Sequence, residues 1–481
     1  MDAVVIGAGI AGLTAAATLA NRNLRTLVLE RHNVPGGCAS FYQRDGYRFD
    51  VGATLAGGFG ARGVHRLLNA HLHIDVSSES FEPAMIVHLP DETVVRYGDR
   101  RWLAERLRVF GPAAEPFWRA QERIADLAWD FSMRFPALPA DLPGALALAR
   151  AFRPHHLPLL GTLGRTVASI LPVAASQRLR SFVDAQLLIT AQGSADRVDL
   201  AYGSTALDLA REGTFHLPDG IATIAVALAR TVRRTGSAIH YNTSVAAIET
   251  ARGRVTGVRL EDGSRIASPR VVSAIPVGNA MTLCPALRRS LQRRVAALPQ
   301  RWGAFVLYCG LPPNVVPDDL PLHHQVVTSY DRMLGEGNTV FLSFSGSNEA
   351  RRARNGGRAV TLSTHTDVAR WERAYRDGGL AELRSIYTEA LLAGLDRVVP
   401  GARRRATLIE PADPHTFARY TGRLRGLVGG LPQTPQVATL GALSHHTAVG
   451  GLFLCGDTTF PGQSTVGATL SGYNAGRAAA F

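Results

Sequence analysis

The 481-residue sequence contains no lysine: all 52 of its basic side chains are arginine. Schiff-base chemistry on a lysine amine is thereby excluded. Cysteine is scarce as well. Cys38, Cys284, Cys309 and Cys455 lie far apart with no Cys-x-x-Cys pair, which argues against a disulfide framework and against a thiolate metal site, and no metal is expected. Cys455 reads as a small buried filler, and Cys38 as a filler that could approach a ligand. No apolar run of 18 or more residues is free of charge, so no transmembrane helix is expected. The sequence opens directly into a strand, which leaves no room for a signal peptide and makes a cytoplasmic location the expectation. Acidic residues number only 39, for a net charge of +13. The arginines are scattered, with no compact basic motif interleaved with aromatics, so no nucleic-acid partner is expected. The histidine pairs 155–156, 323–324 and 445–446 lack metal-ligand spacing and are expected to face solvent.

What is present is a globular composition, 46% hydrophobic and 19% charged, over a length that exceeds one comfortable core. Two joined domains follow from that length. The opening stretch "DAVVIGAGIAGLTAAATLANRNLRTLVLE" gives a β-branched run, Gly7-x-Gly9-x-x-Gly12, an Ala-rich helix and a second strand ending in Glu30. With 48 glycines, three so spaced arise about 0.5 times per chain by composition alone, so the placement carries the signal. Gly7 permits the tight turn, Gly9 lets backbone approach a pyrophosphate, Gly12 lets helix and strand pack closely, and Glu30 accepts from a ribose. Gly36 and Gly37 follow just past the acid.

The closing stretch "LCGDTTFPGQSTVGATLSGYNAGRAAAF" ends a buried strand at Gly456-Asp457, turns at Pro461-Gly462, and begins a helix of small residues. Exposed N–H groups at that helix start suit an electron-rich ligand group. Two remote ends that both look like parts of one nucleotide site imply a chain that leaves the cofactor domain and returns. The expected division is 1–90, 212–276 and 407–481 for the cofactor domain, with 91–211 and 277–406 for a mixed α+β substrate domain. Residues 215–276 read as a turn, an amphipathic helix and four strands. No second Gly-x-Gly-x-x-Gly is present to hold a nicotinamide nucleotide.

Residues 142–183, "LPGALALARAFRPHHLPLLGTLGRTVASILPVAASQRLRSFV", contain no acid, while Arg150, Arg153, Arg165, Arg178 and Arg180 punctuate the leucines. Short amphipathic helices lying in an anionic lipid surface fit this pattern, as does a solvated helical subdomain.

The motifs "VVIGAGIAGL", "ERHNVPGG", "GYRFDVGAT", "FHLPDGI" with "VAAIE", and "GLFLCGDTTFPGQSTVGATLSG" together resemble the FAD-dependent carotenoid desaturase and isomerase family, the phytoene-desaturase-like branch of the amine-oxidase flavoproteins. The resemblance runs from end to end. "FDVGATLAGG", "AQLLITAQ" and "YGSTALDLAREGTFHLPDGI" are most similar to the carotenoid 3',4'-desaturases, with carotene cis–trans isomerases close behind.

The resemblance implies an α/β fold with a Rossmann-like (GR2-type) FAD-binding domain, and FAD as cofactor. Gly7, Gly9 and Gly12 would surround the diphosphate, with Ile10 and Ala11 between them. Glu30 would meet the adenosine ribose with Arg31 beside it, and Gly36 and Gly37 the diphosphate and ribityl chain, while the Val245 backbone would face adenine. Gly456 and Asp457 would hold the diphosphate or ribityl end, and the stretch with Pro461, Gly462, Gln463, Val466 and Gly467 would line the isoalloxazine.

The implied substrate is a carotenoid or another apolar polyene, with oxygen or a quinone as electron acceptor. No catalytic residue is assigned, because a polyene spreads cationic charge and can lose its proton to a modest acceptor. His216 could border the substrate tunnel, and Asp50 could be a turn or cap residue. A polyene burying several hundred Å² would gain on the order of 10 kcal/mol at about 25 cal/mol per Å², so the enzyme must go to the membrane, peripherally. Three alternatives share the fold: an amine oxidase, whose branch places a lysine near the flavin; a retinol-saturase-like reductase; and a flavin-free prenyl-binding escort protein.

Overall fold

The computed structural model describes residues 1–134, 137–139, 142–298 and 300–481. Three distant parts of the chain build its first sheet, whose five strands are parallel and run in the order Leu452–Leu454, Val271–Ser273, Ala3–Ile6, Thr26–Leu29, Ala238–His240. Strands Ala3–Ile6 and Thr26–Leu29 are buried at every residue, and they read as unbroken apolar runs because helices cover both faces.

Helix Ile10–Ala20 is also buried at every position, against helices Ala222–Arg234 and Ser464–Ala479. Its alanines are a packing requirement. A Cβ on Gly12 would run into the Gly7 carbonyl, and one on Gly472 into the Ala11 carbonyl, so these elements meet backbone to backbone. The stretch read as four strands holds five between Ala238 and Ser273, because its two outermost short strands join the parallel sheet. The middle three form an antiparallel sheet, Val245–Ala251, Arg254–Leu260 and Arg265–Ala267.

The second large sheet has seven strands in the order Leu408–Ala412, Trp302–Leu311, Arg358–Asp367, Thr339–Phe344, His323–Val327, Met85–His88, Thr93–Arg96. All neighbours are antiparallel except His323–Val327 with Met85–His88. Strands Met85–His88 and Leu408–Ala412, placed by the sequence reading in 1–90 and 407–481, therefore belong to this sheet. A strand's own residues state its faces but not its partner.

Helices Val368–Asp377 and Leu380–Val398 cover one side of the sheet with Trp371, Tyr387, Leu391 and Leu395. On the other side, helices Arg101–Phe110, Glu115–Ser132, Gln177–Ala191 and Leu200–Leu207 pack around Trp102, Phe117, Trp118 and Phe182. Buried Arg106 ties two of these helices together, 2.9 Å from Glu115 and also paired with Glu122.

Segment 142–183 divides in two. Leu142, Leu157, Leu160 and Leu163 are 73%, 57%, 53% and 43% exposed, and Val173 is fully exposed. Beyond them, helix Gln177–Ala191 turns Leu179, Phe182 and Val183 into the core. Among the described residues no helix is long and apolar enough to cross a membrane.

The histidine pairs do not face solvent as expected. His156, His323, His324 and His445 are buried, because each sits in a strand, turn or helix that packs its ring against neighbouring rings or the core. Only His155 of the first pair is exposed.

Candidate functional site

A single cavity of about 1500 Å³ has walls from both sheets and from the helical layer. One end is glycine-rich. Strand Ala3–Ile6 stops at Gly7, whose φ of +99° lies in the left-handed region, and its N–H donates to the Leu29 carbonyl at 2.8 Å. Gly9 then caps helix Ile10–Ala20 with no side chain, leaving the first-turn N–H groups of Ile10 and Ala11 at the cavity wall.

Glu30 does more than the ribose role predicts. Its carboxylate accepts from the Ala8 N–H at 2.7 Å and the His32 N–H at 2.8 Å, so it also fixes the glycine turn. Gly36, at φ +116°, donates its N–H to the Ala8 carbonyl at 2.8 Å and stitches the second glycine turn onto the first.

The closing stretch completes the wall. Strand Leu452–Leu454 hands over to Cys455, whose N–H donates to Ser273, and Gly456 donates to the Ser471 hydroxyl at 3.1 Å. The Asp457 carboxylate is paired with the Arg423 guanidinium. Burial opposes charge on Arg423, yet Asp457 and the neighbouring Cys38 thiol outweigh it and raise the guanidinium further. Gln463, the residue before helix Ser464–Ala479, donates Nε2–H to the Ile189 carbonyl at 3.2 Å, while its buried Oε1 has no hydrogen-bond partner.

Of the sequence-predicted positions, Gly7, Gly9, Ile10, Ala11, Glu30, Gly36 and Gly37 all line this cavity from the first half of the wall. Gly456, Asp457, Gln463, Val466 and Gly467 line it from the second. Four positions stand outside it. Gly12 packs on Gly7, Gly462 packs on the Gln433 side chain, Arg31 lies against Gly422, and Val245 begins a strand just beyond the Thr243 N–H that donates to the Glu30 carbonyl. The residues present fit FAD: paired glycine turns with free helix N–H groups would suit a diphosphate, and the orphaned Gln463 Oε1 would suit a ring N–H.

The other end of the cavity is apolar, with Leu188, Ile189, Tyr202, Ala206, Leu209 and Trp129 in its walls. The seven-stranded sheet forms its floor, through Val306, Gln325, Thr339, Phe341, Ser363 and His365. His365 packs edge-on against Trp302, with ring centroids 6.0 Å apart, and burial lowers its imidazole to about 4. It is neutral at physiological pH.

Sequence reasoning missed His365, Arg423 and Thr54 as cavity residues. The usable signal for His365 was the polar residue in every position of "STHTD", where a strand with one wet face needs only alternate ones. Arg423 carried no signal beyond being one arginine of 52.

His216 is not in this cavity. It is half-buried in a separate polar chamber and pairs with Glu349 at 3.1 Å. Asp50 caps the start of helix Ala222–Arg234, accepting from the Ile221 N–H at 3.0 Å, and it pairs with buried Arg352 at 2.9 Å. Asp130 accepts from His155 at 3.0 Å and from His156 at 2.8 Å. These three offer ligand atoms within 4.8 Å of one another, against the expectation that the pair lacks such geometry. The Arg153 N–H donates to His156 Nδ1, which leaves the proton on Nε2 facing Asp130, so the cluster is closed by its own hydrogen bonds.

Comparison with known proteins bears on the family and the cofactor. The sequence pattern of the flavin-containing amine oxidoreductases matches residues 10–480. The prolycopene isomerase of Arabidopsis thaliana chloroplasts is 28% identical over 98% of this chain and 81% of its own length. The neurosporene-forming phytoene desaturase of Cereibacter sphaeroides is 26% identical over 97% of this chain and 92% of its own. Among solved structures, cyclohexylamine oxidase of Brevibacterium oxydans superposes with a TM-score of 0.63 at 16% identity, covering 100% of this chain and 98% of that one. The chain belongs to the flavin-containing amine oxidoreductase family, and it is an FAD-dependent enzyme.

Proposed function

We propose that this flavoenzyme desaturates a long apolar polyene of the carotenoid class. The observation that carries the reading is the shape of the cavity: its 1500 Å³ exceed the roughly 300–1,000 Å³ of a single drug-sized site, and its glycine end opens into an apolar end. Two ligands fit there, a dinucleotide and a lipid-like chain. The names of the relatives, phytoene desaturases and prolycopene isomerases, support the substrate class. The chain's lack of lysine sets it apart from an amine-oxidising branch that keeps one beside the flavin.

FAD supplies a two-electron acceptor for a hydride leaving an allylic carbon. The protein's own residues do the rest. Gly7, Gly9 and Gly36–Gly37 would hold the diphosphate, Arg423 holds Asp457 in position, and Gln463 would orient the ring. Leu188, Ile189 and Leu209 exclude water from the polyene, and a polar group of the cavity wall receives the proton that the substrate gives up. With no second dinucleotide fingerprint, the electrons go on to oxygen or a quinone.

A peripheral membrane location, on the cytoplasmic side, follows from the same substrate. The exposed leucines at 142–163 form an apolar ridge among arginines, next to helix Glu115–Ser132, whose Trp129 and Ser132 line the cavity. A polyene can pass from lipid to cavity along that route.

Isomerisation is the second reading, favoured by the prolycopene isomerases at 26–28% identity. Expression in bacteria that accumulate lycopene or a hydroxylated acyclic carotenoid decides between them. A product with one more conjugated double bond supports desaturation. Altered geometry with an unchanged bond count supports isomerisation, and loss of a double bond from a retinol-type substrate overturns both.

A further inference from the structure

A second, small chamber of about 10 Å³, room for about one water, lies beside the main cavity. Its walls are unusually polar for the interior: Asp50, His216, His323, Ser343 and Arg352 surround it, together with Thr54, which also lines the main cavity. Burying such groups costs free energy unless each is paired. They are paired, and one set of pairs runs between the two spaces. The Ser343 hydroxyl donates to Thr54 Oγ1 at 2.7 Å, and Ser343 Oγ stands 2.8 Å from His323 Nδ1.

Local geometry fixes this row. His323 and Ser343 face each other across adjacent antiparallel strands, and the imidazole is held between Phe341, stacked at 9°, and Phe81. With its own hydrogen given to Thr54, Ser343 accepts from His323, which places the imidazole proton on Nδ1.

We infer that Thr54, Ser343 and His323 form a proton wire connecting the substrate cavity to the polar chamber. The inference rests on the reading that a polyene C–H proton must leave the cavity. In the orientation found, each group donates toward the cavity: one passage gives the Thr54 proton to the cavity, the Ser343 proton to Thr54 and the His323 Nδ1 proton to Ser343, while His323 Nε2 takes a proton from the chamber. Every group then donates away from the cavity. The next passage removes the substrate's C–H proton to Thr54, returns the others in turn, and releases one from Nε2.

Two electrons go with the hydride to oxidised FAD, and the inward proton meets the reduced oxygen or quinone. The imidazole stays neutral throughout, in keeping with burial and the nearby His216, His324 and Arg352 charges that lower it to about 3. On the chamber's far side, His216 and Glu349 continue toward the surface pair Asp219–Arg351.

The test uses the FAD-loaded full chain with Thr54→Val, Thr54→Ser and Ser343→Ala. Thr54→Val keeps shape and removes the hydroxyl. Its flavin content and melting temperature should match wild type, while anaerobic flavin reduction by the accepted polyene slows roughly 10²-fold and loses its solvent deuterium effect. Thr54→Ser should restore both. Wild-type rates and isotope effect in Thr54→Val and Ser343→Ala would overturn the wire.

Nitrogen NMR of histidine-labelled enzyme supplies a readout that needs no substrate. His323 should be neutral with its proton on Nδ1 at pH 7, and Ser343→Ala should move that proton to Nε2. A cationic His323, or a tautomer indifferent to Ser343, overturns the wire even if no polyene proves to be a substrate. Failure of every polyene with the predicted tautomer switch intact sinks the substrate reading instead.

Discussion

The Asp457 carboxylate meets the Arg423 guanidinium in the wall of the cofactor end of the cavity, and both side chains are largely buried, at 17% and 13% exposure. Removing one partner strands the other's charge, which costs roughly 3–5 kcal/mol for a buried pair. Arg423→Met should therefore purify with little flavin and a lowered melting temperature, and Asp457→Asn should show a smaller loss of both. Flavin-to-protein absorbance and thermal melting check this. Full flavin content in Arg423→Met would remove the pair from the site.

Gly9 and Gly12 separate cofactor binding from folding. A Cβ on Gly9 meets no protein atom within 4 Å, whereas one on Gly12 runs into the Gly7 carbonyl and the Ala274 side chain. Gly9→Ala should melt like flavin-free wild type yet fail to take up FAD. Gly12→Ala should lose stability by several kcal/mol, roughly the cost of a strongly overpacked core, with or without flavin.

Six wholly or partly buried histidines predict an acid-sensitive fold. Burial lowers His65, His88, His324, His365 and His445 to about 4 and His323 to about 3, from an ordinary value of 6.5. Below pH 6.5 the unfolded chain takes up protons that the folded chain refuses, so stability rises with pH through this window. It should be complete above pH 7 and fall steeply as the pH drops from 6.5 toward 4. His88 and His324 stack at 14° and share a 3.1 Å hydrogen bond, so His324→Gln should flatten the slope of melting temperature against pH.

Asp130 works in a lower window. Its hydrogen bonds to His155 and His156 hold the carboxyl down at about 2, from 3.8. A depressed carboxylate contributes stability above its unfolded value that disappears as pH falls from about 4 to about 2. Asp130→Asn should be less stable than wild type at pH 5, with the gap closing toward pH 2. A gap that persists at pH 2 would assign Asp130 a packing role instead.

The apolar ridge gives the last prediction. Each leucine that enters lipid contributes roughly 1–2 kcal/mol, so changing Leu157, Leu160 and Leu163 together to Asn should lower flotation with anionic vesicles at least about tenfold. Melting in solution should hardly move, because all three are exposed. Unchanged flotation would leave the ridge without a lipid role.

The cofactor end was legible because sterics write it into local sequence. Gly7 and Gly36 occupy positive-φ turns few other residues tolerate, Gly12 sits where a Cβ would strike the Gly7 carbonyl, Glu30 follows its strand, and Gly456-Asp457 follows another, so their types and spacing identify them. The FAD family resemblance followed the same residues and agrees with the match over 10–480.

The substrate end was illegible because its residues earn their place through long-range pairing. Thr54 comes from a loop and His323 and Ser343 from two different strands, and His365 is one polar residue among several in its strand. The histidine pairs misled for a related reason. Adjacent imidazoles look like surface residues until the sheet or helix that buries one of them is known. Strands Met85–His88 and Leu408–Ala412 show the same limit, since either sheet would accept their pattern.

The position of strand Leu452–Leu454, beside residues 271–273 and two places from residues 3–6, sets a timetable for biogenesis. On the ribosome, the first glycine turn emerges long before its last neighbour, while the seven-stranded sheet can begin to assemble around it. The cavity's glycine-rich wall is thus a late construction, whole only once strand Leu452–Leu454 and helix Ser464–Ala479 have joined segments made hundreds of residues before them.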